Sequence, residues 1–327
     1  MTGSPWRYRG TYPGLRSASV VSVLKDIQQD LRVRCRDVRV SEPLAPHVAF
    51  RIGGPADVLV IPADMGELRA VIGYLLGRVF PFAVLGRGSN VLIADRGVRG
   101  VVLKIGRGVD RVTFDGARVI AESGTYLPHL AALAATRGLS GLEFSAGIPA
   151  SVGGAVVMNA GAHGHSMSDI VARVRVLTPE GERDIAGADL GFAYRTSILQ
   201  AGPAVVLEAE LHLRPEDPDA VRERMEAWLR QRNETQPVGP PSSGCIFRNP
   251  PGDHAGRLID LAGCKGLHVG DARVSDVHAN YILNSGAASA GDVLALAAQV
   301  RQRVRAQFGV ELVLEIKLLG EFDDAAA

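Results

Sequence analysis

Residues 81–105 read PFAVLGRGSNVLIADRGVRGVVLKI. Phe82–Leu85 is apolar and strand-like, and it runs into Gly86-Arg87-Gly88-Ser89-Asn90. Val91–Ile93 resumes an apolar run, and after a turn Val101–Ile105 gives a third strand candidate. The unit is strand, glycine-rich loop, strand. It is not the dinucleotide fingerprint, which needs three glycines spaced G-x-G-x-x-G at the opening of a helix. Here the third glycine is missing and a β-branched run follows. Two readings of the loop stand level. One is a tight hairpin. The other is a nest of successive backbone N–H groups that holds an anion, with the Ser89 hydroxyl and the Asn90 amide added.

The flanks share this texture. Upstream, AFRIGGPADVLVIPAD places a Gly-Gly-Pro turn before a strand at Val58–Ile61, and Leu68, Val71, Ile72 and Leu75 give Met65–Leu76 a helical period. Downstream, residues 117–123 alternate as a strand, and a helix is expected over Leu127–Thr136. Residues 138–164, GLSGLEFSAGIPASVGGAVVMNAGAHG, then carry seven glycines among alanines and serines. Such a stretch lacks the bulk of an ordinary core. It suits a surface where a flat or extended ligand lies against backbone; close packing of short helices is the alternative. A hairpin around Pro179-Glu180-Gly181, the segment FAYRTS at 192–197 and a strand at 204–213 follow. Glu216-Asp217-Pro218 looks like a domain boundary before an amphipathic helix from Asp219 to about Asn233.

In the last third, PVGPPSSGCIFRN at 237–249 is too rich in proline and glycine for a core element, and it would present the Cys245 thiol at a fixed angle. The plainer reading is a small buried hydrophobe, the usual fate of a free cysteine. A helix is expected at Ala255–Ala262, short strands within Lys265–Val274, and a strand over Val277–Leu283. His278, a lone histidine, is structural by default. Ser289 to Phe308 reads as a helix capped by Ser289 and ended by Gly309. Val310–Leu319 reads as a final strand with Glu311 and Glu315 on one face. Glu315, within VLEIKLL, must be paired or functional, because a lone carboxylate is costly in apolar surroundings.

The totals exclude several classes. The 327 residues suit two or three domains. A net charge of +1 gives no sign of a nucleic-acid or acidic-membrane partner. No run approaches the roughly 18 apolar residues of a membrane span, and MTGSPWRYRGTYPG lacks a signal-peptide h-region. Cys35, Cys245 and Cys264 are odd in number and lack metal-ligand spacing, which fits a reducing, cytoplasmic setting with no metal. Residues 1–17 read as disordered and 18–34 as a helix. A monomer is the default expectation.

Each signal is weak alone, but their order is specific. RIGGPAD, GRGSNVLIAD, GLEFSAGIPASVGGAVVMNAGAHG, FAYRTS, PSSGCIFRNPPGDHAGRLID, VSDVHANYILN and VELVLEIKLLGEF together resemble UDP-N-acetylenolpyruvoylglucosamine reductase, the MurB family, over about residues 45–322. The resemblance implies an α+β architecture: a two-subdomain FAD-binding fold of the vanillyl-alcohol-oxidase/PCMH type, plus a C-terminal α+β substrate domain. The division would be an N-terminal extension with one helix (1–45), an FAD-binding domain (46–217, split near 106), a substrate domain (218–322) and a tail (323–327). The spacing after Tyr194-Arg195 resembles the shorter, second type of the family.

By the same resemblance, Arg51, Gly53, Gly86, Arg87, Gly88, Ser89, Asn90, Gly147, Ile148, Pro149, Ser151, Gly153 and Gly154 would hold FAD, with Asn159 and Gly161 near the flavin. NADPH would reduce FAD and leave. UDP-N-acetylglucosamine enolpyruvate would then receive hydride from flavin N5 at its methylene carbon. Arg195 would stabilise the enolate, Glu315 would help to polarise it, and Cys245 would donate the proton. Tyr194, Arg195, Asn249 and His278 would touch the substrate. Three positions depart from the common pattern. Cys245 stands where serine is usual, Ala49 replaces a threonine, and Val277 replaces a lysine. With an ordinary thiol pKa of about 8.5, Cys245 is expected to lose its proton, and turnover to fall, at alkaline pH. The rival expectations are another FAD oxidoreductase on this fold, or a flavin-binding protein without catalysis.

Overall fold

The computed structural model describes residues 17–78 and 80–322. Residues 1–16 of the segment expected to be disordered, and the tail 323–327, lie outside the described residues. The first lobe is a four-stranded sheet in the order Asp37–Pro43, Pro55–Ile61, Val98–Lys104, Phe82–Leu85. Its first pair is antiparallel and the other two are parallel. Helices Ser17–Arg34 and Met65–Gly77 cover it. Asp64 starts the second helix by accepting the Glu67 N–H at 2.9 Å. Its Leu68, Val71, Ile72 and Leu75 are fully buried against Val58, Val101 and Leu103, as the helical period predicts.

The loop at 86–90 is not a hairpin turn. Phe82–Leu85 pairs in parallel with Val98–Lys104, whereas Val91–Ile93 leaves that sheet and pairs in parallel with Lys317–Leu319. The glycine-rich loop therefore carries the chain from the first lobe to the end of the C-terminal unit.

The second lobe is a five-stranded antiparallel sheet, ordered Gly181–Ala186, Val171–Thr178, Val205–His212, Arg118–Glu122, Val112–Asp115. One face packs on helices Leu127–Ala135 and Val152–Val157 through Val174, Ala209, Leu211, Leu130 and Val156. Along the sheet, Arg118 and Arg173 converge on Glu210, and Arg173 and Arg175 on Asp184. Helix Pro218–Thr235 packs on this same lobe through Met225 and Trp228. It is fastened there by Arg224 on Glu143 at 2.6 Å.

The C-terminal unit has three short antiparallel strands, His268–Val269, Ala272–Val274 and Ile282–Asn284, against helices Ala255–Leu261 and Ala290–Phe308. Ser289 and Asp292 form a capping box on the long helix. Phe50 of the first lobe lies in this core beside Phe247, Val293 and Leu296. Asp95 accepts the N–H groups of Ala290 and Gly291 at 2.8 and 3.1 Å. The unit is thus joined to the first lobe by core and by helix cap.

Three expectations change. The strand over Val277–Leu283 shrinks to Ile282–Asn284. Residues 277–280 turn, because Ser275 Oγ accepts the N–H groups of Val277 and His278 and the His278 ring accepts that of Asn280. The final strand shrinks from Val310–Leu319 to Lys317–Leu319. With no regular pleat before it, Glu311 and Glu315 do not share a face. Glu311 is exposed and paired with Arg301 and Arg305, while Glu315 is buried.

Candidate active site

Ala193 and Thr196 exchange both backbone hydrogen bonds, at 3.2 and 3.1 Å, so Tyr194 and Arg195 form the tip of a two-residue turn. Arg195 takes φ +56°, the left-handed value that a turn of this kind asks of its third residue. Its Nε donates to Glu315 Oε1 at 2.9 Å and its Nη1 to the Gly161 carbonyl at 3.0 Å. Burial raises the Glu315 pKa, and the Arg195 guanidinium opposes that rise.

Glu315 is laid beside Cys245 by backbone: the Glu315 N–H donates to the Ile246 carbonyl at 2.8 Å. Cys245 pairs with Tyr281 in an isolated bridge, and Ser243 Oγ donates to the Val91 carbonyl at 3.0 Å just before it. Cys35 and Cys264 are buried, whereas Cys245 is partly exposed and lines a cleft of about 290 Å³. Desolvation and the neighbouring Glu315 charge push the Cys245 thiol up to about 12. That direction runs against the expected loss of its proton at moderately alkaline pH.

The same cleft is lined by Asn249, His254, Arg257, Lys265 and His278. Asn249 Oδ1 accepts the Ala255 N–H at 3.0 Å and so fixes the start of helix Ala255–Leu261. Burial pushes the His278 pKa down. Its Nδ1 accepts the Asn280 N–H at 3.2 Å, which puts the ring proton on Nε2. Tyr194 stands half-exposed, its hydroxyl pKa raised by burial and then by Glu315. Val277, where a lysine was expected, is exposed at the cleft rim.

The glycine-rich segments meet on the other side of Arg195. A Cβ at Gly86 would collide with Ser151 Oγ, and one at Gly153 would sit 2.9 Å from Ser123 Cβ. Glycine at these positions lets Ser151 and Ser123 approach the backbone closely. Ser151 caps helix Val152–Val157. Gly147 lies against Arg232, Gly53 against Ile93, and Gly88 against Val48. Arg87 stacks over Tyr126 at 4.7 Å. Arg51 has φ +54°. Ile148 packs on the second-lobe core and Pro149 is exposed. Ser89 is half-buried in the loop.

Two of these residues are engaged by protein. The Asn90 carbonyl accepts the Lys317 N–H at 3.0 Å, and its amide faces the Glu315 carbonyl at 3.5 Å. Asn159 donates to the Ala193 carbonyl at 3.1 Å and accepts the Ser168 N–H at 2.9 Å.

Sequence reasoning missed two further residues of this cradle. Ser123 and Thr125 follow the strand Arg118–Glu122, and their carbonyls hold the N–H groups of Gly153 and Val152 at 2.8 and 2.9 Å. Their hydroxyls are buried without a hydrogen-bond partner in the protein. An unpaired buried hydroxyl costs about 1–3 kcal/mol. Two of them beside close-packed glycines and a helix cap fit a polar group such as the phosphates and ribityl hydroxyls of FAD. The one sequence signal was the run of small polar residues, ESGT, at a strand end.

A two-lobe α+β body with such a cradle, an Arg195–Glu315 pair beside Cys245 and a cleft lined by Cys245 fits an FAD-dependent oxidoreductase of the PCMH fold type with an added C-terminal α+β domain. The family comparisons agree. Residues 56–184 match the FAD binding domain family, and residues 236–319 match the C-terminal domain of UDP-N-acetylenolpyruvoylglucosamine reductase. The UDP-N-acetylenolpyruvoylglucosamine reductase of Bacillus velezensis is 43% identical over 300 residues, 91% of this chain and 99% of its own. Reductase 2 of Symbiobacterium thermophilum is 45% identical over 301 residues, 91% and 98% of the two chains. The crystal structure of the reductase (MurB) from Thermus caldophilus superposes with TM-score 0.74 at 38% identity, over 86% of this chain and 98% of that one. The chain belongs to the UDP-N-acetylenolpyruvoylglucosamine reductase family.

Proposed function

We propose that this chain reduces UDP-N-acetylglucosamine enolpyruvate to UDP-N-acetylmuramate with NADPH as reductant and FAD as hydride carrier, a step of peptidoglycan precursor synthesis. The observation that carries this reading is the Arg195–Glu315 pair, 2.9 Å apart and set beside the Cys245 thiol. The chemistry that FAD supplies when bound is hydride transfer, from NADPH to the flavin and from the flavin to the enolpyruvyl methylene carbon. Hydride arriving there pushes negative charge onto the neighbouring carbon and its carboxylate. Arg195 faces that charge. Its guanidinium has five N–H donors, and the two engaged with Glu315 and Gly161 leave the rest for a carboxylate. A preorganised cation opposite a developing anion is commonly the largest catalytic term.

Cys245 supplies the proton to the carbon next to the reduced methylene, which completes saturation of the double bond; its thiolate then regains a proton from solvent. Glu315 holds the guanidinium plane in place. Tyr194, Asn249 and the Nε2–H of His278 contact the nucleotide-sugar substrate in the cleft. Ser123, Thr125, Ser151 and the backbone of Gly86–Asn90 and Gly147–Gly154 hold FAD, with Arg51, Gly53, Asn159 and Gly161 beside it. Residues 46–217 are read as the FAD-binding domain and 218–322 as the substrate domain, with helix Pro218–Thr235 as the element shared between them. Free cysteines and the use of NADPH support a cytoplasmic enzyme. A monomer is the simplest state, and its solution mass checks it.

The test is an anaerobic visible spectrum. The flavin band is expected to bleach with NADPH and to return on addition of UDP-N-acetylglucosamine enolpyruvate. A band that returns only with oxygen would overturn the reading.

A further inference from the structure

We propose that Gln200 is a positioning residue for the Arg195–Glu315 pair. The inference rests on the function proposed above. Gln200 ends the single helical turn Ile198–Gln200. Its Nε2 donates to the Arg195 carbonyl at 3.1 Å and to the Val157 carbonyl at 3.0 Å, and its Oε1 accepts Lys317 Nζ at 2.8 Å. One amide therefore grips the main chain of Arg195, the end of the helix that Ser151 opens, and the side chain two residues beyond Glu315.

The Arg195 turn needs such a grip. A non-glycine residue at left-handed φ is strained and persists only where its surroundings over-determine it. Three side chains do this. Asn159 holds the Ala193 carbonyl at 3.1 Å, Ser197 Oγ donates to the Val157 carbonyl at 2.7 Å, and Gln200 holds the Arg195 carbonyl itself. Of these contacts, those of Gln200 alone also reach the segment that carries Glu315. The Lys317 ammonium lies within electrostatic reach of the Glu315 carboxylate, so anchoring Lys317 fixes a charge beside Glu315.

The residue type fits the task. Lys317 is half-buried, and desolvation pushes its pKa down. A neutral carbonyl oxygen satisfies its ammonium without adding a carboxylate that would compete with Glu315 for Arg195. Glutamate in its place would keep the acceptor and lose both donors; leucine would lose all three contacts.

The experiment uses full-length holoenzyme of Gln200→Leu and Gln200→Glu in anaerobic stopped flow, following the flavin through each half-reaction. A displacement of about 1 Å in a catalytic group can cost about 10²-fold. FAD content and flavin reduction by NADPH are expected to stay within about twofold of the parent. Reoxidation by the enolpyruvyl substrate is expected to slow by about 10–10²-fold in both variants, with little change in the substrate concentration at half-saturation. If Gln200→Leu yields no holoprotein, the isosteric Gln200→Glu carries the test. Reoxidation at the parental rate would overturn the inference, and so would an equal fall in both half-reactions. The parent enzyme is the control for the underlying function: a parent whose flavin is not reoxidised by the substrate would remove that function, whatever Gln200 does.

Discussion

Arg195 and Glu315 are 120 residues apart in sequence, and their side chains meet at 2.9 Å. Arg195 is offered by a strained turn of the second lobe and Glu315 by the segment that closes the C-terminal unit. Val91–Ile93, which leaves the first lobe through the glycine-rich loop, pairs with the strand two residues past Glu315. All three parts of the molecule converge on this one ion pair, so cofactor cradle and substrate cleft are held in a single register.

Removing the cation should separate binding from chemistry. In Arg195→Met, flavin reduction by NADPH is expected to persist, while single-turnover reoxidation by the substrate falls by about 10²–10³-fold, the usual effect of losing one preorganised donor to a developing oxyanion. Arg195→Lys should recover little of it. An ammonium is a point charge without the planar fork that reaches both Glu315 and the Gly161 carbonyl. Lysine restoring the parental rate would show that charge alone suffices.

The pH profile should be set without the thiol. Cys245 gives up its proton as pH rises through its pKa, which burial and the Glu315 carboxylate push to about 12. Between about pH 8 and 10, around the ordinary thiol range, the donor is therefore expected to stay protonated, and Cys245→Ser to leave the alkaline side of the profile unchanged. Rates of reoxidation across that window check this. An alkaline fall in the parent that disappears in the serine variant would mean that the thiol is more acidic than its surroundings imply.

Where side-chain periodicity drives burial, the sequence was a sufficient guide. Leu68, Val71, Ile72 and Leu75 are buried as read, and helix Ala290–Phe308 has the caps foreseen at Ser289 and Gly309. The strands Asp37–Pro43 and Val112–Asp115 were not read. They are sheet edges whose alternation runs through only two apolar residues each, Val38 and Val40 or Val112 and Phe114, none of them fully buried. Val277–Asn280 looked like a strand because its turn is made by Ser275 Oγ and a histidine nitrogen, which no propensity scale registers. Arg195, Cys245 and Glu315 were singled out through the order of their motifs, and Arg195 and Glu315 meet as an ion pair. Gln200 was not singled out, because a hydrogen bond to a distant carbonyl leaves no mark on local sequence, and the cradle hydroxyls of Ser123 and Thr125 were not, because burial without a partner is visible only in the fold.

The seam between first lobe and C-terminal unit should be separable from catalysis. Asp95 accepts the first two N–H groups of helix Ala290–Phe308. Asp95→Ala leaves those donors to solvent, a loss comparable with that of a helix cap, about 0.5–2 kcal/mol. The urea midpoint of the holoenzyme is expected to fall accordingly while FAD content stays unchanged. A variant that loses FAD without losing stability would place Asp95 in the cofactor site instead.

The two orphaned hydroxyls give a test of the cradle in which stability and affinity move in opposite directions. Ser123 and Thr125 are 2% and 1% exposed, and neither hydroxyl has a partner in the protein. In apoprotein each carries an uncompensated desolvation cost. Thr125→Val keeps the shape and removes the polar atom, and Ser123→Ala does so with a smaller change of volume. If these hydroxyls serve FAD, each substitution should raise the stability of the apoprotein by about 1 kcal/mol and weaken FAD by about tenfold, the worth of one hydrogen bond to a charged or polar ligand group. A purely structural role predicts instead lower apoprotein stability and an unchanged dissociation constant. Thermal unfolding of the stripped protein and fluorescence titration with FAD measure the two quantities independently. Apoprotein stabilised with no loss of FAD affinity would show that the hydroxyls face neither the protein nor the cofactor, and would remove Ser123 and Thr125 from the site.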